Sequence, residues 1–87
     1  MQFPKPIGYY SIDLPDMVVS EIEALSLDQL KDLLCDISLK IAEHDELFDN
    51  NGLATIVNHT INSQLSTTND WLGFMQWTLE RLKQAHN

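Results

Sequence analysis

Apolar residues recur every three to four positions along most of this chain, which is the spacing of amphipathic α-helices. The most regular stripe is formed by Leu30, Leu33, Leu34, Ile37, Ile41 and Phe48. A second stripe near the C-terminus contains Trp71, Leu72, Met75, Leu79 and Leu82. Proline and glycine number only three each, which also favours long regular elements. Together these features predict an all-α fold.

Two helix starts are marked by capping boxes, in which paired side chains satisfy free backbone N–H groups. Ser26 with Gln29 has this spacing, and so has Thr67 with Asp70. The first pair stands at the start of the leucine stripe, and the second stands just before Trp71. The capping boxes therefore predict where the two longest helices begin.

Further boundaries come from proline, asparagine and glycine. Asp13 can cap a short helix with Pro15 in its first turn, where the missing N–H of proline costs nothing. The polar run 49–52 ends in glycine and suits a helix end. We predict a short helix over 15–25 and long helices over about 27–48, 53–65 and 68–85.

The pattern of proline and apolar residues over 1–14 predicts an extended apolar arm. Pro4, Pro6 and Pro15 bias the residues before them away from helical geometry. Such an arm packs back over its own bundle or reaches across to a second subunit. The complete prediction is a small helical bundle of three long helices and one short helix over 15–87, with an extended N-terminal arm over 1–14.

The inward faces of these helices define a predicted core. Its members share one side of each predicted helix at about 100° per residue. They are Leu30, Leu34, Ile37, Ile41, Ile56, Val57, Trp71, Met75 and Leu79.

Charge excludes some partners. The 87 residues suit one domain and carry a formal net charge of −8, so direct binding to nucleic acid or anionic lipid is disfavoured. The charge serves solubility, attraction to a basic partner, or imitation of a nucleic-acid backbone. No apolar run reaches the roughly 20 residues of a membrane span, and residues 1–10 do not resemble a signal peptide. With Cys35 as the single cysteine, these features predict a cytoplasmic protein.

Catalytic and metal-binding motifs are not evident, so we expect no enzyme, metal or cofactor. His44 lies beside Asp45 and Glu46, but adjacent helical residues point in different directions. Aligning Gly52 with the invariant glycine of an EF-hand puts leucine and asparagine at two key ligand positions. Carboxylates stand close to Cys35, and neighbouring negative charge opposes activation of a cysteine nucleophile.

The fourth predicted helix carries aromatic residues beyond its apolar stripe. Phe74, Trp77 and Arg81 form a row on the far side from the predicted core, with Trp77 about 170° from its centre. Gly73 leaves space beside the indole ring. Aromatic and arginine side chains are enriched at interface hot spots. Either the arm covers this row within the chain, or the row binds a partner together with Tyr9 and Tyr10 of the arm.

An acidic ridge is predicted on the second helix, formed by Asp28, Asp32, Asp36, Glu43 and Glu46. We expect a small regulatory or adaptor protein that binds another protein or itself, as a homodimer, through the aromatic row. The alternative is an acidic inhibitor of the phage or mobile-element type. Such an inhibitor would use the ridge to mimic nucleic acid and block a basic nucleic-acid-binding protein.

Overall fold

The computed structural model describes residues 12–42 and 51–86. Within these ranges it contains four α-helices: α1 (Asp16–Glu23), α2 (Leu27–Ile41), α3 (Thr55–Gln64) and α4 (Thr68–His86). No strand occurs in the two ranges, so the all-α prediction is confirmed. Residues 1–11 of the predicted arm lie outside the described residues. At its end, Ile12 and Leu14 are non-helical and buried against the helices.

The start of α1 differs slightly from the prediction. Pro15 is the N-cap residue, and its carbonyl accepts hydrogen bonds from the backbone N–H groups of Val18 and Val19. Asp13 is exposed, and no side chain caps this helix. The predicted cap at Asp13 is therefore wrong, because the chain enters the helix through the fixed φ of proline.

The second helix is described up to its C-cap residue, Ala42. It ends at Ile41, where Ala42 donates its N–H to the carbonyl of Ser38. After Ile41 the sequence continues with the polar run 43–46, which gives the helix no further apolar anchor before Leu47. The predicted continuation to Phe48 falls in 43–50, outside the described residues.

Both predicted capping boxes are present. Gln29 donates its backbone N–H to Ser26 Oγ at 3.2 Å, and Ser26 N–H donates to Gln29 Oε1 at 3.0 Å. At α4, Asp70 N–H donates to Thr67 Oγ1, while the backbone N–H groups of Ser66 and Thr67 donate to Asp70 Oδ2. These backbone hydrogen bonds lower the pKa of Asp70 below its ordinary value of 3.8. Stability from this cap is therefore present at neutral pH and is lost as the pH falls through that lowered pKa.

Helices α2 and α4 form the most extensive helix–helix contact in the described part of the chain. Lys40 near the end of α2 lies over the ring of Trp71 near the start of α4. Lys31 near the start of α2 lines the same groove as Leu79 in the second half of α4, so the two helices run antiparallel. The core between and around them contains Ile12, Leu14, Val18, Ile22, Leu30, Leu33, Ile37, Val57, Ile61, Leu65, Trp71, Phe74 and Trp77.

The predicted core is correct in part. Leu30, Ile37, Val57 and Trp71 are buried, while Leu34, Ile41 and Met75 are only partly buried. Ile56 and Leu79 are wrong, because their exposed fractions are 62% and 38%. Both errors have the same cause, because α3 and α4 are rotated about their axes relative to the faces that were predicted to be buried.

The turn before α3 depends on Gly52, whose φ is +79°. A Cβ at this position would lie 2.6 Å from Nε2 of Gln29, the side chain that completes the capping box of α2. We expect Gly52→Ala to lower the free energy of unfolding by about 1–3 kcal/mol, because it adds left-handed strain and disturbs that cap. Urea denaturation measures the loss. The loss should shrink in a Gln29→Ala background, and an equal loss there would contradict the role of the contact.

Candidate functional site

The aromatic row of α4 lies in the core. Phe74 is 0% exposed and Trp77 is 2% exposed, and their rings stack with centroids 6.1 Å apart. The ring of Trp71 is tilted against that of Phe74, with centroids 6.2 Å apart. Gly73 is buried as well. The predicted location of this row on the far side of α4 is therefore wrong, because the bulky rings and not Met75 and Leu79 turn inward.

Arg81 is engaged within the chain. Its Nη1 donates to Oε2 of Glu23 at 3.2 Å, and the guanidinium lies 5.6 Å from the ring centroid of Trp77. These contacts join the end of α1 to α4. Tyr9 and Tyr10 lie outside the described residues. A partner-binding role of the row stays a prediction, but it now requires Phe74 and Trp77 to leave the core.

The surface of α4 instead presents aliphatic side chains. Leu72 is 44% exposed and Leu79 is 38% exposed, with the partly buried Met75 between them. Met75 and Leu79 line an open groove of about 440 Å³ between α2 and α4. We call this the α2–α4 groove, and its lining side chains are Lys31, Leu34, Cys35, Ser38, Met75 and Leu79.

Two lysines mark one end of the α2–α4 groove. Lys31 lines it near Leu79, and Lys83 is exposed one helical turn beyond Leu79. Neither lysine takes part in an ion pair among residues 12–42 and 51–86, where the one recorded pair is Arg81 with Glu23. The groove therefore combines an apolar floor with two cations at this end, and Lys40 lies near the other end, over Trp71.

The acidic ridge is smaller than predicted. Asp28 and Asp32 are exposed, but Asp36 is buried. Asp36 turns toward the polar cluster described below, which is why it cannot form part of a solvated ridge. Glu43 and Glu46 lie outside the described residues.

A buried polar cluster joins α2, α3 and the turn between them. Asn51 is 1% exposed, and its Nδ2 donates to Asp36 Oδ2 at 3.0 Å and to Asn58 Oδ1 at 2.8 Å. Asn51 Oδ1 accepts the backbone N–H of Leu53, whose carbonyl accepts from Asn58 Nδ2. Asn51 is thus the central donor, and the cluster holds the turn against both helices. Sequence reasoning missed this arrangement, although Asn58 stands beside Val57 on the buried side of α3.

Neither a metal centre nor a membrane span is found in the described part of the chain. No group of three or more His, Cys, Asp or Glu side chains there could hold a metal ion. No helix there is both long and apolar enough to cross a membrane. Comparison with family models, curated proteins and solved structures finds no match to the chain. The α2–α4 groove and the buried cluster are therefore interpreted from their own geometry.

Proposed function

We propose that this protein is a small adaptor or regulatory protein that binds one amphipathic helix of another protein in the α2–α4 groove. The observation that supports this proposal is the open apolar floor of Leu34, Met75 and Leu79, extended along α4 by Leu72. An exposed apolar surface in contact with water favours association, because covering it removes that surface from solvent.

The shape of the groove favours a helix over a small molecule. Two neighbouring antiparallel helices form a straight trough, and the side chains of a third helix pack into such a trough at 3.6-residue spacing. Small-molecule sites usually enclose most of the ligand surface. The exposed fraction of 38% at Leu79 shows that this floor is open on one side.

Charge favours a different protein over a second copy and indicates acidic residues on the bound helix. Two copies would bring together chains that each have a net charge of −8, which opposes association. Lys31 and Lys83 offer positive charge at one end of the groove, and Lys40 offers it near the other end. The partner helix is therefore expected to place acidic residues over these lysines.

Affinity capture with matched baits tests the proposal. Leu79→Glu should weaken capture of the partner at least about thirtyfold. The change places a carboxylate on the apolar floor and removes a side chain that we expect to be an interface hot spot. Ile56→Glu is the matched control, since Ile56 is an equally apolar exposed residue on α3. Both positions are exposed, so both variants should fold.

Cys35 supplies a direct measure of occupancy, because it is exposed and lines the groove. Partner binding should slow alkylation of this thiol at saturating partner, and Leu79→Glu should abolish the protection. Equal capture by the Leu79→Glu and Ile56→Glu baits, or unprotected Cys35 in the complex, would contradict the proposal.

Two other outcomes would identify a different occupant. Sedimentation as a dimer that Leu79→Glu dissociates would assign the groove to a second copy and support the homodimer hypothesis. Loss of capture with Asp28→Lys and Asp32→Lys, together with normal capture by Leu79→Glu, would favour the nucleic-acid mimic. That mimic would also lose affinity steeply with added salt, whereas an apolar groove should not.

A further inference from the structure

The buried cluster contains an asparagine that is followed directly by glycine, Asn51-Gly52. We propose that Asn51 is a site of spontaneous deamidation, that its contacts with Asp36 and Asn58 hold the reaction in check, and that conversion releases the turn from α2. The inference is independent of the α2–α4 groove, and the only co-reactant it needs is water.

The chemistry needs only the chain and water. The backbone nitrogen of Gly52 attacks Cγ of Asn51, so that a new N–Cγ bond forms and the Cγ–Nδ2 bond breaks. The proton of the Gly52 amide leaves with the side-chain nitrogen, which departs as ammonia. Water then opens the five-membered imide at either carbonyl and leaves aspartate or isoaspartate. Glycine at the second position favours ring closure because it has no Cβ to hinder the approach.

The folded structure holds the side chain of Asn51 in place. Asn51 is 1% exposed, its Nδ2 donates two hydrogen bonds, and its Oδ1 accepts the N–H of Leu53. These bonds fix the side chain, so Cγ cannot move relative to the Gly52 nitrogen while they persist. Reaction requires a local opening of the turn, so its rate follows the population of the open form.

Deamidation of Asn51 removes hydrogen bonds from the buried cluster and adds a negative charge beside Asp36. A carboxylate at position 51 has no N–H to donate, so Asp36 Oδ2 and Asn58 Oδ1 both lose the donor that joins them. The new negative charge also lies at hydrogen-bond distance from the Asp36 carboxylate, within a buried site. Like charges at this range disfavour the closed turn. Deamidation thus limits the lifetime of the contact between the turn and α2.

Peptide mapping by mass spectrometry after incubation at mildly alkaline pH tests the inference on the intact chain. Asn51 should convert at least about tenfold more slowly in the folded chain than in urea-unfolded chain, because few molecules are open. Asn58→Ala removes one acceptor of Asn51 and should raise the rate in the folded chain between about three- and tenfold. Asn62, which is followed by serine, serves as the internal control.

A second measurement uses the wild-type chain. Its rate at Asn51 should rise with urea and reach the rate of the unfolded chain through the unfolding transition, since unfolding breaks the hydrogen bonds of Asn51. Asn51→Asp, which carries the product side chain, should unfold at a lower urea concentration than wild type. Equal rates in folded and unfolded chain, a rate insensitive to urea, or an unchanged midpoint in Asn51→Asp would each overturn the proposal.

Discussion

Phe74→Ala is expected to lower the free energy of unfolding by about 3–5 kcal/mol, a large part of the stability of a small domain. Phe74 is 0% exposed and lies between the rings of Trp71 and Trp77, at 6.2 Å and 6.1 Å. Truncation removes apolar burial and both ring contacts, and it leaves a cavity that the rigid helices fill only in part. Urea denaturation followed by circular dichroism measures the loss.

Leu72→Ala provides the control on the same helix. Leu72 is 44% exposed, so its truncation should cost less than about 1 kcal/mol. A similar cost for Leu72→Ala and Phe74→Ala would show that α4 is rotated differently from the structure. Trp77→Ala should lower the free energy of unfolding as Phe74→Ala does. An unchanged free energy of unfolding in Trp77→Ala would instead indicate that the aromatic row lies at the surface.

The sequence predicts the existence and starts of the helices well, because those depend on local interactions. Ser26 with Gln29 and Thr67 with Asp70 act within one turn, and both capping boxes form as expected. The spacing of apolar residues every three to four positions also indicates helix over most of the described residues. Such signals require no knowledge of which element packs against which.

The phase of α4 could not be read from period, because this helix has apolar residues around most of its circumference. Phe74 and Trp77 offered one candidate core face, and Met75 and Leu79 offered another. The structure places the larger aromatic surface inside, where its burial contributes more free energy than that of two aliphatic side chains. The consequence is functional, since the face left outside is the floor of the α2–α4 groove.

The buried cluster depends on contacts that are distant in sequence. Asp36 and Asn51 are separated by 15 residues, and each looks like a solvated residue when taken alone. The sequence pattern therefore predicts Asp36 on the acidic ridge and predicts only a helix boundary at Asn51. Their burial follows from mutual satisfaction, because a buried polar group is tolerated where its hydrogen bonds are made.

Asn51→Ala is expected to cost about 3 kcal/mol of unfolding free energy, more than its small volume suggests. The change leaves two buried acceptors without their shared donor, and one of these is the carboxylate of Asp36. A hydrogen bond to a charged group contributes about 1.5–3 kcal/mol, and an unsatisfied buried acceptor adds its desolvation penalty. Asn62→Ala is the matched control. Among the described residues its amide donates to the carbonyl of Asn58 alone, so the change should cost well under 1 kcal/mol.

A double-mutant cycle separates the Asp36–Asn51 contact from general damage to the turn. If the two side chains act together, Asp36→Ala with Asn51→Ala should cost less than the sum of the single changes by about 1–2 kcal/mol, because the hydrogen bond between them can be lost only once. Chemical denaturation of the four chains gives the coupling energy. Strict additivity would mean that the hydrogen bond at 3.0 Å contributes nothing specific. In that case, the turn would be held by the packing of Leu53 and by the hydrogen bonds among Asn51, Leu53 and Asn58.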